Sequence, residues 1–163
     1  MPSFIGFVPT QAEFIRGFFE LAPVTVGDVV YDLGSGDGRL VFAALEKGAQ
    51  RAVGVELNPE LVRQARAAAQ SKGLEKRAIF LEADVMDVDL TEATLVLCYL
   101  FPTASAALKP KLARELKPGA RVVMESFRIP EWIPARTTDI ASRWFYLYHM
   151  PPSPTEDALP LLR

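Results

Sequence analysis

Five short apolar runs alternate with amphipathic stretches between Asp28 and Phe127, and this rhythm restricts the chain more than any other feature. The runs are DVVYDL, RAVGVEL, RAIFLEAD, ATLVLCYL and the RVVME of KPGARVVMESF. They are near-continuous in apolar residues, as strands buried on both faces are. Strand and helix in repeated alternation predict an α/β fold, a doubly wound and mostly parallel sheet with helices on both faces. The helical stretches carry their own punctuation. TQAEFIRGFFELA places Thr10 and Glu13 at capping-box spacing, sets Phe14, Ile15, Phe18, Phe19 and Ala22 on one face, and ends at Pro23. GRLVFAALEKGA closes on Gly48. NPELVRQARAAAQSKG has Asn58 as N-cap, Pro59 at the first helical position and Gly73 past its end. In TASAALKPKLAREL, Pro110 is expected to kink or confine the helix.

After Phe127 the rhythm breaks. RIPEWIPARTTDIAS carries no helix pattern, and RWFYLYHM is an aromatic-rich strand candidate. A parallel return needs a crossover of a dozen or more residues. The last strand or hairpin is therefore expected to lie antiparallel at the sheet edge, followed by an extended proline-rich tail. At 163 residues the chain makes one domain, able to bury roughly 70% of its unfolded surface. It divides into an N-terminal cap and helix (1–23), a core (24–127), and an edge-strand region with the tail (128–163).

The loop after the first strand, DLGSGDGR, poses the chemical question. In a doubly wound sheet it sits in the crevice at the carboxyl ends of the strands, where ligands bind. Its glycines stand at 34, 36 and 38, one residue short of the G-x-G-x-x-G spacing that cradles a pyrophosphate. Asp32 and Asp37 flank it, and a like-charge contact at ~4 Å costs about 4 kcal/mol at an effective dielectric near 20. Arg39 alone need not cancel that. The loop is thus suited to a ligand carrying positive charge and no phosphate, and S-adenosylmethionine, with its ammonium and sulfonium, answers the description. Glu56, eighteen residues after Gly38 at the end of the second strand, is placed for the ribose hydroxyls. Asp84, ending the third, is placed for the adenine amino group. Taken singly, Glu56 serves equally well as a helix-dipole carboxylate and Asp84 as a solvated turn residue. Three acids at three successive strand ends are far more specific.

With these residues in view the sequence resembles the class I, seven-β-strand S-adenosylmethionine-dependent methyltransferases, whose sheet is Rossmann-like. VYDLGSGDGR matches their first motif, GVELNPELV the acidic second-strand motif, EADVMD the adenine-side motif and LKPGARVVM the entry to the fifth strand. FVPT, DLGSGDGR and GVELNPEL together are similar to the small protein-lysine methyltransferases, which include broad-specificity archaeal enzymes and mitochondrial enzymes acting on the c-ring protein of ATP synthase and the adenine nucleotide translocase. The resemblance implies transfer of methyl groups to lysine amines of protein partners. It implies a cofactor site of Asp32, Gly34, Ser35, Gly36, Asp37, Gly38, Glu56, Leu57, Asp84, Val85 and Tyr99. Val8, Pro9 and Thr10 would fold over the cofactor. The chain departs from the mitochondrial members in lacking their apolar N-terminal segment, and LCYLFP after the fourth strand matches no diagnostic catalytic string.

On the acceptor side, Tyr99 and Phe101 are candidates for an aromatic slot around an aliphatic amine, with Tyr99 positioning the substrate and Pro102 beside them. Glu125 is a candidate to orient an ammonium, although a solvated edge position accounts for it more readily. Trp132 either shapes the entrance or plugs the space of a missing helix. Cys98 is expected to behave as a small buried hydrophobe. His149 is expected at the end of the sheet away from the cofactor. Competing readings are an RNA or small-molecule methyltransferase, a noncatalytic cofactor-binding protein, and a nicotinamide-dependent oxidoreductase, which the glycine spacing disfavours. Lys109, Lys111, Arg114, Lys117 and Arg121 form a basic stretch that a solvated helix face explains better than RNA contact. The net charge of −2 gives no general pull toward nucleic acid or anionic membrane. One cysteine and no apolar run of ~20 residues fit a cytoplasmic protein. No metal is called for, and a monomer suffices for every feature above.

Overall fold

The computed structural model describes residues 12–154. Strands β1 (Val29–Leu33), β2 (Arg51–Glu56), β3 (Ala78–Glu82), β4 (Leu95–Cys98) and β5 (Arg121–Glu125) alternate with helices α1 (Ala12–Leu21), α2 (Arg39–Glu46), α3 (Pro59–Ser71) and α4 (Pro102–Glu115). β6 (Trp132–Ile133), β7 (Arg136–Ile140), β8 (Arg143–His149) and β9 (Ser153–Pro154) follow. The main sheet has seven strands in the order β3-β2-β1-β4-β5-β8-β7. The first five run parallel. β8 lies antiparallel to β5, and β7 antiparallel to β8. The expected antiparallel edge is thus a hairpin, and β6 with β9 forms a separate two-stranded ribbon.

The two faces are covered unequally. On one, Phe14, Phe18, Phe19 and Leu21 of α1, Leu40 and Val41 of α2, and Val62 and Ala65 of α3 pack on Val30, Leu95, Val123 and Phe145. On the other, Leu108 and Leu112 of α4 share the cover with loop residues Val88, Leu90, Ile129 and Trp132 over Tyr31, Val96, Val122 and Tyr148. The β3–β4 connection holds one 3₁₀ turn (Val85–Asp87) where a doubly wound fold could carry a helix. Tyr148 completes this side: its hydroxyl accepts from the Ile129 amide at 3.0 Å, and Trp132 meets its ring edge-on at 5.9 Å.

Local signals explain the element ends. Asn58 caps α3 by accepting from the Glu60 and Leu61 amides, with Pro59 in the first turn. Pro110 does not break α4, which runs through it to Glu115. Pro110 and Ala106 are both exposed, so water can satisfy the Ala106 carbonyl left without its i+4 donor.

At the foot of the sheet, the buried carboxylate of Asp28 joins four segments. It accepts from Arg121 Nη2 on both oxygens at 2.7 Å, from Thr94 Oγ1 at 2.7 Å and from the Thr25 amide at 2.7 Å. Its carbonyl takes the Gln50 amide at the entrance to β2. Burial alone would raise this carboxyl. The hydrogen bonds from Arg121, Thr94 and the Thr25 backbone, with the Arg121 charge, hold it below the ordinary value. Its stabilisation is therefore present above about pH 4, where the unfolded carboxyl is ionised, and is lost as pH falls further. Arg121→Met, which leaves the carboxylate buried and unpaired, is expected to cost about 3 kcal/mol in urea unfolding at neutral pH. A loss under about 1 kcal/mol would mean that the pair behaves as a surface one.

Candidate active site

The parallel register brings the strand ends level. Leu33 lies opposite Val55 and Cys98, Cys98 opposite Met124, and Glu125 opposite Phe145. Residues one or two steps beyond therefore converge on one edge, where a cleft of about 700 Å³ opens. That volume suits a ligand the size of a nucleoside derivative.

At one end stands the glycine loop. Gly34, Gly36 and Gly38 all adopt positive φ (87°, 56° and 91°), which side-chain-bearing residues rarely hold. The amides of Gly34 and Ser35 both donate to the Val55 carbonyl, and the Gly36 amide donates to Glu56 Oε1 at 2.9 Å. Gly54 permits the approach, because a Cβ there would fall 2.6 Å from Ser35 Oγ. Glu56 spends its other oxygen on the Asn58 amide, also at 2.9 Å. It thus pins the glycine loop to the start of α3 while lining the cleft. Asp84 likewise has two faces: Oδ1 caps the 3₁₀ turn through the Met86 amide, and the residue lines the cleft, as do Leu57 and Val85.

The two loop aspartates part company. Asp37 is matched by Arg39, whose Nε donates to it at 2.8 Å. Asp32 is 2% exposed, and its Oδ1 has no hydrogen-bond partner among the described residues. Burial first, then the charges of Glu56 and Asp37, push its carboxyl up to about 8. Ser35 Oγ is likewise buried and without a partner there. Unsatisfied buried polar atoms at a cleft call for a partner from outside the chain, water or ligand. Two beside a carboxylate cluster fit the cationic amino-acid end of S-adenosylmethionine, and Glu56 and Asp84 fit its hydroxyl and amino groups.

The other end is built from Tyr99, Leu100 and Phe101 after β4, Glu125 at the end of β5 with Ser126 and Phe127 beyond it, and Arg143 at the start of β8. Glu125 is no solvated edge residue: β8 covers it on the far side, and it is 2% exposed. Both of its hydrogen bonds, from Ser126 Oγ and from Arg143 Nη1 at 3.3 Å, fall on Oε1. Arg143 Nη1 also donates to the Tyr99 hydroxyl at 3.2 Å. The Tyr99 ring thus already faces a cation, while Phe101 stands 50% exposed at the mouth. Arg143 and Ser126 carried no signal in the sequence, since they meet Glu125 only through the β5–β8 pairing.

Other expected residues lie elsewhere. Trp132 is buried against Tyr148 and does not line the cleft, so the plugging role describes it and the entrance role does not. Pro102 opens α4 and is not among the lining residues. Val8, Pro9 and Thr10 fall outside the described residues. His149 pairs with Arg121 at the foot of the sheet. Cys98 is fully buried, and burial pushes its thiol up. The basic stretch is not one solvated face: Lys109 pairs with Glu131, Lys111 is buried against Glu115, and Arg121 serves Asp28.

A raised carboxyl opposes folding as it is forced to ionise. The folded chain loses stability relative to an Asp32→Asn variant from about pH 4 up to about pH 8, and the gap is constant beyond. Asp32→Asn without ligand is therefore expected to melt higher than wild type, by a margin that widens between pH 5 and pH 8. Its affinity for S-adenosylhomocysteine is expected to fall. A margin independent of pH would show that Asp32 is not the strained group.

The chain is similar to known methyltransferases. The family model for the ANTKMT methyltransferase domain matches residues 32–136. A protein-lysine N-methyltransferase of Saccharolobus islandicus (strain REY15A) is 43% identical over 80% of this chain and 81% of its own length. The adenine nucleotide translocase lysine N-methyltransferase of Mus musculus is 38% identical over 80% of this chain, and the match spans 56% of that protein. Among solved structures, an RNA methyltransferase from Salinibacter ruber in complex with S-adenosyl-L-homocysteine superimposes with a TM-score of 0.85 at 40% identity, covering 94% of this chain and 100% of that one. A family-model match over most of the chain and a relative at 43% identity show that the chain belongs to the ANTKMT methyltransferase domain family.

Proposed function

We propose that this protein methylates lysine side-chain amines of proteins, with S-adenosylmethionine as methyl donor. The observation that carries the reading is the polarity of the cleft. An under-satisfied acidic cluster stands at one end, and a buried carboxylate with one uncommitted oxygen stands at the other. Asp32 and Ser35 would hold the amino-acid part of the cofactor, Glu56 the ribose hydroxyls and Asp84 the adenine amino group. When bound, the cofactor supplies an electrophilic methyl carbon on a sulfonium.

The remaining work falls to the chain's own residues. Glu125 Oε2, which accepts no hydrogen bond among the described residues, is available to an N–H of the acceptor amine and would orient its lone pair. Tyr99 and Phe101 line this end of the cleft and would flank the aliphatic approach of the acceptor. Deprotonation is the main obstacle. An amine of pKa ~10.4 is neutral about once in 2,500 at pH 7, a penalty of about 4.6 kcal/mol. A cationic donor beside it and a dry slot both favour the neutral form, so release of the proton to bulk water suffices. We place the enzyme in a reducing cytoplasm on the strength of its single, buried cysteine.

An RNA acceptor is the second reading, favoured by the name of the Salinibacter ruber protein. The two are separated by incubating the enzyme with methyl-labelled cofactor and cell lysate. The expected label is protease-sensitive, resides on lysine, and forms at a rate that rises steadily from neutral pH to pH 9. Nuclease-sensitive label would overturn the lysine reading.

A further inference from the structure

We infer that Arg143 is a positioning residue for methyl transfer: it holds Glu125 as a charge-balanced carboxylate, so that the acceptor amine is oriented without being trapped as an ammonium. The inference rests on the lysine reading above. A buried, unpaired carboxylate facing the acceptor would do the reverse of what the reaction requires. It would bind the protonated amine and raise its pKa, because an opposite charge within ~4–6 Å favours the charged form. Glu125 is not left in that state. The guanidinium of Arg143 lies against its Oε1 and is itself clamped, with its carbon 4.4 Å from the Phe14 ring centroid and 5.9 Å from that of Tyr99. Hydrogen bonds to Tyr99 and Glu125 hold the guanidinium still further above its ordinary range, so it stays charged at any working pH.

The backbone around this pair is strained where the cofactor loop is not. On the cofactor side, every positive φ is carried by glycine. Around Glu125 and Arg143, positive φ falls on Ser126 (69°), Ala141 (53°) and Ser142 (64°). Ala141 and Ser142 are the two loop residues of the β7–β8 hairpin, between the paired Ile140 and Arg143. Two left-handed positions in a two-residue loop form the turn that Asn-Gly makes most easily. Here the strained turn delivers Arg143 to the cleft, and strained Ser126 donates its hydroxyl to Glu125. The fold sustains three unfavourable conformations around one ion pair.

Among the described residues, the charged and titratable groups joined to Glu125 at this end are Arg143 on β8 and, through it, Tyr99 after β4; from α1 the Phe14 ring stacks on Arg143. Asp32, Asp37, Arg39, Glu56 and Asp84 stand at the opposite end of the cleft. They are unchanged in any variant of this pair, so their influence cancels in a comparison.

The test uses the full chain and a lysate protein that the wild-type enzyme labels on lysine, at saturating concentrations in single-turnover methylation across pH. Arg143→Met is expected to keep its affinity for S-adenosylhomocysteine within about twofold, because Asp32, Ser35, Glu56 and Asp84 are untouched and Tyr99 loses only a bond at its hydroxyl. Its rate is expected to fall at neutral pH, with the ascending limb of the profile moved up by about one unit or more. Arg143→Lys is expected to return the limb toward its wild-type position. Glu125→Gln leaves the guanidinium unbalanced beside the amine, so its limb is expected to move to lower pH, a result that stands even if Arg143→Met does not fold. Lysine label with a limb unmoved in both Arg143→Met and Glu125→Gln overturns the inference alone. Label on nucleic acid from the wild-type enzyme overturns the lysine reading and the inference with it.

Discussion

The cleft depends on the Asp28 carboxylate at the opposite end of the sheet. One buried side chain there binds Arg121 of β5, Thr94 before β4 and the Thr25 turn leading from α1, and its backbone receives the approach to β2. Strands fixed at their feet emerge level at their tips, and level tips are what let residues from β1, β2, β4, β5 and β8 meet across one opening. A slip of one residue in any of these pairings would turn a cleft-lining side chain to the other face of the sheet.

Asp28 and Asp32 stand four residues apart in the same short segment and have opposite fates. The first is fully supplied with donors and titrates low; the second is buried with an orphaned oxygen and titrates high. The difference is not one of sequence, since both are aspartates bordering apolar runs. It comes from which neighbours the sheet order supplies. At the foot, β5 brings an arginine. At the tip, β2 brings another carboxylate. The sheet is secured where its groups are satisfied and left incomplete where a ligand can complete it.

Features written in contiguous residues were legible. The strand rhythm, the Asn58 cap, the glycine-rich loop after β1 and the acids near the strand ends follow from spacing within a few residues. Features that arise between distant segments were not. Glu125 read as a solvated residue because its cover, Arg143 and Ser126, is assembled only when β8 pairs beside β5. β7 was hidden because its sequence, RTTDI, is an edge strand with one buried side chain and so has no apolar run. Trp132 stood between two roles until Tyr148 supplied its neighbour. Pro110 was expected to kink or confine α4, but the helix runs through it, with Pro110 and Ala106 on its exposed face.

The two ends of the cleft come from stretches of chain that do not overlap, residues 32–85 on one side and 99–143 on the other. The first stretch holds the residues proposed for the methyl donor, and the second those proposed for the acceptor. The second is finished by a hairpin at the sheet margin, tied to the core chiefly by β5 and α1. A change in the hairpin or its turn would therefore reshape the second end of the cleft while leaving residues 32–85 in place.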